Sequence, residues 1–297
     1  MRALNLLLAS GDVQVVAVLA SSGGGRRGAT VAQAAAARGI AVWPPRVLTY
    51  PATAGLMAAT SVDLMLNVHS LVVVADALLD VPTLGAFNLH PGPLPRYAGL
   101  NSPLWAVYRS ENRYGATLHR MTTRIDAGPI FEQQLFDVAP RETGLSLTVK
   151  AVQCGLGLLE RFVRGLPGSA DPRRMREQDQ TRREYLGEGP PDGGRLRWRL
   201  PASRLDAFVR ACDFGPFPSP WGHPSVTLRA RRLHVLAAET APETPESRPP
   251  GTVISVSGGA ASVATGEGLL VLKKLEVDGR LVDAAEVIRH GQSFDVE

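Results

Sequence analysis

Two side chains that can support acid–base and charge-stabilising chemistry lie two positions apart, at Asn88 and His90. They follow a short apolar run, residues 84–87, which predicts a buried strand. Because alternate residues of an extended strand point to the same face, the two side chains should lie side by side. Three prolines between residues 91 and 95 then end the strand. A neutral donor beside a group that titrates near neutral pH can stabilise an oxyanion and transfer a proton.

A carboxylate follows His90 by 36 positions, at Asp126. On a loop near the end of the strand, it would orient the imidazole and raise the imidazole pKa by favouring its charged form. Taken alone, an Asn-x-His strand end is more often a satisfied polar terminus, and Asp126 a turn residue. The two motifs together favour a site whose reactive groups are Asn88, His90 and Asp126.

The motif N-L-H-P-x-x-L-P-R in residues 88–96, followed by I-D-A-G-P-I in residues 125–130, resembles the 10-formyltetrahydrofolate-dependent formyltransferases. The resemblance covers nearly the whole chain. It implies an N-formyltransferase that uses 10-formyltetrahydrofolate as co-substrate, a primary amine as acceptor and no metal. It also implies that Asn88, His90 and Asp126 are the catalytic residues.

The resemblance also assigns residues to the folate donor. Residues 72–74 would hold the pteridine ring, whose edge presents donors and acceptors in fixed positions, although core packing is the alternative for this apolar segment. A loop at residues 122–125 would close over the ring. The full set is Val72, Val73, Val74, Leu94, Leu100, Thr122, Thr123, Arg124 and Ile125. His119, on a predicted strand, is interpreted as structural.

Strand and helix patterns alternate through the first half of the chain, which predicts an α/β fold with a doubly wound, mainly parallel sheet. Short alternating strands with glycine turns near the end predict a small β-barrel-like C-terminal domain. The predicted strands are residues 13–20, 40–43, 62–68, 84–87, 114–121, 130–138, 226–236, 251–257, 261–265 and 269–277. The predicted helices are residues 2–10, 30–38, 51–60, 75–80, 104–109, 143–165 and 203–212. On the helix at residues 143–165, the predicted core stripe is Val149, Val152, Leu156, Leu159 and Val163.

The resembled family opens with a strand and a loop ahead of its first helix, which here is predicted at residues 2–10. No such strand precedes that helix in this sequence. Because the strand would be central to the sheet, we expect the recorded start to lie downstream of the true one. The alternative is that the protein tolerates the loss.

Composition divides the chain into a catalytic domain at residues 1–166, a linker at 167–200 and a C-terminal domain at 201–297. The linker is rich in proline, glycine and arginine. Its arginines could bind phosphate on tRNA, on a nucleotide sugar or on the phosphopantetheine arm of a carrier protein. Because acidic residues are interleaved with them, a solvated surface is the alternative.

The 297 residues, 44 % of them hydrophobic, are enough for two cores. The sequence has no apolar run of membrane-spanning length and no typical signal peptide, so we expect a cytoplasmic protein. Two cysteines offer neither a disulfide framework nor metal-ligand spacing. A net charge of +4 is small for a dedicated RNA-binding protein. Residues 23–28 match G-x-G-x-x-G, but nothing acidic follows until Asp63, which favours a flexible loop over nucleotide binding.

The acceptor amine is the least constrained feature. The aromatic, proline-rich loop at residues 214–222 resembles family members of peptide natural-product pathways. We therefore expect a small-molecule amino acid or a carrier-bound aminoacyl group as acceptor. The alternatives within the family are the initiator methionyl-tRNA and a nucleotide-linked amino sugar. A non-catalytic folate-binding or regulatory protein on the same scaffold is an alternative of another class, and the oligomeric state stays open.

Overall fold

A computed structural model describes residues 1–21, 30–166, 175–241 and 248–295. The chain forms two compact units whose segments alternate along the sequence. The first unit contains Met1–Gly99, Gly115–Phe136 and Ala151–Tyr185, and the second contains Leu100–Tyr114, Asp137–Lys150 and Leu186–Glu297. The contiguous boundaries expected from composition stay a prediction. The glycine-rich motif at residues 23–28 lies outside the described residues.

The helices and strands occupy the following residues. The helices are α1 (Arg2–Ala9), α2 (Val31–Ala36), α3 (Thr53–Ala59), α4 (Ser102–Tyr108), α5 (Gly144–Arg164), α6 (Ala202–Cys212) and α7 (Ala284–Val287). The strands up to residue 186 are β1 (Ala17–Leu19), β2 (Ala41–Trp43), β3 (Leu64–Val68), β4 (Gly85–His90), β5 (Ala98–Gly99), β6 (Arg113–Arg120), β7 (Ile130–Asp137) and β8 (Tyr185–Leu186). The later strands are β9 (Ser225–Leu228), β10 (Arg231–Ala241), β11 (Val253–Ser257), β12 (Ala260–Ala264), β13 (Leu269–Val277) and β14 (Arg280–Asp283). The predicted short helix at residues 75–80 is present only as a three-residue 3-10 helix, Asp76–Leu78.

The first part of the chain builds an α/β layer. Strands β3, β4, β6 and β7 form one sheet in that order, while β1 and β2 form a separate pair. Pairing is parallel between β1 and β2 and between β3 and β4, and antiparallel between β4 and β6. The expected α/β fold with a mainly parallel sheet, followed by a C-terminal sheet domain, is confirmed.

Strand β4 packs tightly against helix α5. Phe87 and Leu89 belong to a buried cluster that includes Phe162 of α5, and the two phenyl rings lie 4.8 Å apart. Gly155 permits close approach, since a Cβ atom there would lie 3.1 Å from a methyl group of Leu89. Because side chains alternate along a strand, the side chains of Asn88 and His90 face away from this cluster.

The buried face of α5 matches the predicted stripe only in part. Leu159 and Val163 are buried as predicted, whereas Val149 is 44 % exposed. Other buried residues of the helix lie outside the stripe: Ala151, Leu158 and Phe162. The last two thirds of this helix carry apolar residues on more than one face. Periodicity alone therefore could not identify the face that packs against β4.

The second unit is dominated by a six-stranded sheet with the order β11-β12-β13-β10-β9 and with β14 added to β13. All of its strand pairs are antiparallel. The single strand predicted at residues 226–236 is wrong, because the chain turns at Arg229 and Ala230, with φ angles of 52° and 62°. Positive φ at both central residues suits a tight hairpin, but the absence of glycine hid the turn.

Part of the predicted linker is packed. In the first unit, Gln178 is buried and Arg176 exchanges backbone hydrogen bonds with Ile130. In the second unit, Leu196 and Trp198 are buried. Across the described parts of the chain, no helix combines the length and the hydrophobicity that a membrane span requires.

Candidate active site

Strand β4 delivers the two polar residues at its carboxyl end. Asn88 is half-buried and His90 is 4 % exposed. In the antiparallel register with β6, Asn88 lies opposite His119 and His90 lies opposite Thr117. The polar cluster therefore forms where a buried strand leaves the sheet, as expected for α/β proteins.

Asp126 reaches these residues from the loop between β6 and β7. Its backbone is left-handed, with φ of 52°. The Gln178 side-chain amide holds the loop, because it donates to the carbonyl oxygens of Asp126 at 3.0 Å and Gly128 at 2.6 Å. Gly128 is needed for the close approach, since a Cβ atom there would lie 2.0 Å from the Arg120 carbonyl oxygen. The loop is thus supported by a residue that composition assigned to the linker.

The Asp126 carboxylate connects the predicted reactive groups. Asn88 donates from Nδ2 to Oδ1 at 3.1 Å, and His90 Nδ1 lies 3.5 Å from Oδ2. The Gly99 N–H also donates to Oδ2, at 2.9 Å. On the other side of the ring, His90 Nε2 lies 2.7 Å from the Tyr97 carbonyl oxygen, so Nε2 carries a hydrogen. The structure brings Asn88, His90 and Asp126 together.

The expected raised pKa of His90 is wrong in direction. Burial lowers the pKa of His90, and this effect exceeds the raising effect of Asp126; His119 lowers the pKa further, while the Tyr97 carbonyl raises it. Desolvation of a fully enclosed imidazolium is more costly than one carboxylate can offset. The resting imidazole is therefore neutral near neutral pH, with Nδ1 able to accept a proton.

The Asp126 carboxylate is the resident charge of the cluster. Burial by itself would raise the Asp126 pKa, but His90, His119 and the Gly99 N–H together lower it well below its usual range. The contribution of His90 requires a charged imidazole, which burial of that ring disfavours, and the contribution of His119 requires a hydrogen on its Nε2. The hydrogen bonds from Gly99 and Asn88 stabilise the carboxylate in either case, so we assign the negative charge to Asp126.

His119 is a site residue that sequence reasoning missed. It is 1 % exposed, and its Nε2 lies 3.1 Å from Asn88 Nδ2 and 3.4 Å from Asp126 Oδ1. In the sequence, His119 lies within an alternating strand pattern, which predicted only a structural role. The β4–β6 register decides that His119 faces Asn88, and no motif in the sequence specifies that register.

His69 is a second histidine that sequence reasoning missed. It directly follows β3, whose Val68 pairs with Leu89, so His69 lies beside His90 at the carboxyl ends of adjacent parallel strands. The residue keeps solvent contact and has a left-handed φ of 56°. Partial burial of the ring lowers the His69 pKa, and His90 lowers it further. Its position just after a predicted strand was the available signal.

The residues assigned to folate binding differ in accessibility. Val73 is 62 % exposed and Val72 is half-buried, whereas Val74 is buried within a core cluster. Leu94 is also buried, and both its N–H and its carbonyl are hydrogen-bonded within the fold. Side-chain contact with a ligand is therefore open to Val72 and Val73 more than to Val74 and Leu94.

The predicted folate loop directly precedes Asp126 and is accessible. Thr122, Thr123, Arg124 and Ile125 are all exposed. Leu100 belongs to the second unit, where its N–H donates to the Leu186 carbonyl. The folate roles of these residues stay predictions. In the described segments, no group of three or more His, Cys, Asp or Glu residues is arranged to hold a metal ion.

Known protein families match most of the chain. Residues 7–159 match the formyl transferase family, and residues 190–291 match the formyl transferase C-terminal domain. The chain is 29 % identical over 283 residues to the methionyl-tRNA formyltransferase of Thiobacillus denitrificans, with 93 % of this chain and 88 % of that protein covered.

Solved structures share the fold at low identity. HypX from Aquifex aeolicus in complex with tetrahydrofolic acid has a TM-score of 0.56 and 19 % identity, with 85 % of this chain and 43 % of HypX covered. The chain thus spans less than half of HypX. A 4-N formyltransferase from Francisella tularensis has a TM-score of 0.57 and 16 % identity, with 73 % of this chain and 85 % of that chain covered.

Proposed function

Because the chain belongs to the formyl transferase family, we propose that it formylates the primary amine of an aminoacyl group, with Asn88, His90 and Asp126 as catalytic residues. It is a formyl-transferring enzyme, and its formyl donor is formyltetrahydrofolate. The observation that carries the proposed catalytic roles is the cluster around the Asp126 carboxylate, which accepts hydrogen bonds from Asn88 and Gly99 and lies 3.5 Å from His90 Nδ1.

The accessible chain near this cluster fits a folate donor. Thr122 to Ile125 are exposed and lead directly into Asp126, and Val73 is exposed beyond the end of β3. Exposed main chain of this kind can supply donors and acceptors to a pterin edge. When bound, the donor supplies an electrophilic formyl carbon attached to a nitrogen that leaves.

Each residue has a distinct task in this proposal. The Asn88 amide supplies an N–H to the negative charge that develops on the formyl oxygen. His90 is neutral at rest, so its Nδ1 accepts the proton released by the attacking amine and then gives it to the departing nitrogen. Asp126 accepts a hydrogen bond from Asn88 and so holds that amide in place, and it stabilises the His90 imidazolium while it exists.

The aminoacyl acceptor is favoured by the Thiobacillus denitrificans relative, which is a methionyl-tRNA formyltransferase similar over nearly its full length. Methionyl-tRNA is therefore the first acceptor to test. The proline-rich loop at residues 214–222, where Phe217 is 61 % exposed, supports the second candidate, an aminoacyl group in peptide natural-product synthesis. The two acceptors share the α-amine and differ in the carrier.

The experiment measures formyl transfer from 10-formyltetrahydrofolate to methionyl-tRNA, free amino acids and a nucleotide amino sugar. Asn88→Ala and Asp126→Asn should each lower turnover by about a hundredfold or more, because each removes a group that stabilises developing charge. Thr83→Ala, at the exposed amino end of β4, is the control and should leave turnover unchanged. Full activity of Asp126→Asn would refute the catalytic assignment, and transfer to the amino sugar alone would refute the aminoacyl acceptor.

A further inference from the structure

The hydrogen bonds of His119 define its tautomer. Its Nδ1 lies 3.0 Å from the Arg120 carbonyl oxygen, which can only accept, so Nδ1 carries the hydrogen. In the neutral ring, Nε2 is then an acceptor, 3.1 Å from Asn88 Nδ2. A hydrogen on Nε2 could bond only Asp126 Oδ1, which lies farther away at 3.4 Å, and it would also face the Asn88 donor at the shorter distance. His119 thus offers Asn88 a lone pair.

The same contacts define the orientation of the Asn88 amide. Asn88 Nδ2 has two hydrogens and two acceptors, at 3.1 Å from Asp126 Oδ1 and 3.1 Å from His119 Nε2. If the amide were reversed, its oxygen would face the carboxylate oxygen and the imidazole lone pair. Both contacts would then be repulsive, so the amide has one favourable orientation.

We propose that His119 is a positioning residue that holds the Asn88 amide and keeps one of its N–H groups ready for the formyl oxygen. This inference rests on the proposed function, because it concerns the donor that the reaction requires. Both Asn88 hydrogens are already bonded, so a developing oxyanion must replace one acceptor. The neutral His119 lone pair is a weaker acceptor than the charged Asp126 carboxylate, and His119 is therefore the partner that releases the hydrogen.

His119 acts through Asn88 and does not itself touch substrate. Its side chain is 2 % exposed, and its ring lies edge-on to His90 with 6.5 Å between centroids. Losing the Nε2 acceptor would leave one Asn88 hydrogen without a partner and allow the amide to rotate. The expected cost falls on turnover, since the amide is needed most when negative charge develops.

The test compares two replacements of His119 that differ in acceptor capacity. His119→Met fills a similar volume but offers only a weak acceptor, whereas His119→Gln places an amide oxygen within reach of Asn88. We expect His119→Met to lower kcat about tenfold, the equivalent of one hydrogen bond. His119→Gln should recover most of this loss. The KM for methionyl-tRNA and the Kd for 5-formyltetrahydrofolate, measured by calorimetry, should change less than about twofold, because His119 contacts neither ligand.

A double mutant separates positioning from general damage. In an Asn88→Ala background, His119→Met should cause no further loss of kcat, because the residue it positions is gone. A loss that adds fully to that of Asn88→Ala, or a wild-type kcat for His119→Met, would overturn the proposal. If His119→Met does not fold, His119→Asn serves instead, since it can keep the Arg120 contact but does not reach Asn88. Failure of the wild-type protein to transfer any formyl group would refute the proposed function.

Discussion

Strands β3 and β4 are adjacent and paired in parallel, yet they are buried to different extents. Leu66 pairs with Phe87, and Asn67 pairs with Asn88. Every residue of β3 is half-buried, whereas every residue of β4 except Asn88 is buried. Backbone pairing therefore does not determine how tightly a strand is packed; the layers on its two faces do.

The difference in burial between β3 and β4 explains why the polar cluster around Asp126 lies at the end of β4. Phe87 and Leu89 pack against α5, and Ala86 packs on the opposite face with Met57. A strand held on both faces restricts the positions of the reactive side chains at its end, which favours preorganised chemistry. Strand β3 instead ends in the partly exposed, left-handed His69.

The largest difference between substitutions on β4 and on β3 should appear in the free energy of unfolding. Phe87→Ala should lower the free energy of unfolding by about 3–5 kcal/mol, because the ring is fully buried between Phe131 and Phe162. Leu66→Ala, at the paired position on half-buried β3, should cost less than about 2 kcal/mol. Urea denaturation measures both, and equal losses would show that the two strands are packed alike in solution.

Two glycine substitutions test the same contrast near the site. A Cβ atom at Gly128 would lie 2.0 Å from the Arg120 carbonyl oxygen, so Gly128→Ala should displace the loop that carries Asp126. A displacement of about 1 Å should lower formyl-transfer turnover on the order of a hundredfold. Gly55 in α3, the helix before β3, has nothing within 4 Å of such an atom. Gly55→Ala should keep full activity and gain up to about 1 kcal/mol of stability. Wild-type turnover for Gly128→Ala would show that the loop adapts.

The smallest expected effect is on the pH dependence of stability. It should differ between the histidines at the ends of β3 and β4. His69 and His90 both have lowered pKa values in the folded protein. Because the unfolded chain binds these protons more tightly, stability present above about pH 6.5 should be lost as the pH falls through that value. His90→Gln should reduce this loss more than His69→Gln, since His90 is the more buried. Thermal unfolding between about pH 7 and pH 5 measures this loss of stability. A melting temperature that stays constant over this range would contradict the lowered pKa values.

Much of the candidate site was predictable. The apolar run before Asn88 predicted a strand, alternation placed Asn88 and His90 on one face, and the second motif supplied Asp126. The hairpin at Arg229 and Ala230 was not predictable, because neither residue is a turn former. The expectation of a raised His90 pKa was also wrong, because the extent to which an imidazole is buried cannot be determined from its neighbours in the sequence.

The sequence by itself determined which groups could react, through the residue types at Asn88, His90 and Asp126 and through their spacing. Tertiary structure decided how those groups work. The β4–β6 register placed His119 against Asn88, and the enclosure of β4 on both faces lowered the pKa of His90. Both depend on contacts between residues that are distant along the chain. Local patterns specify the direction of a side chain but not the partner that it meets or the dielectric around it.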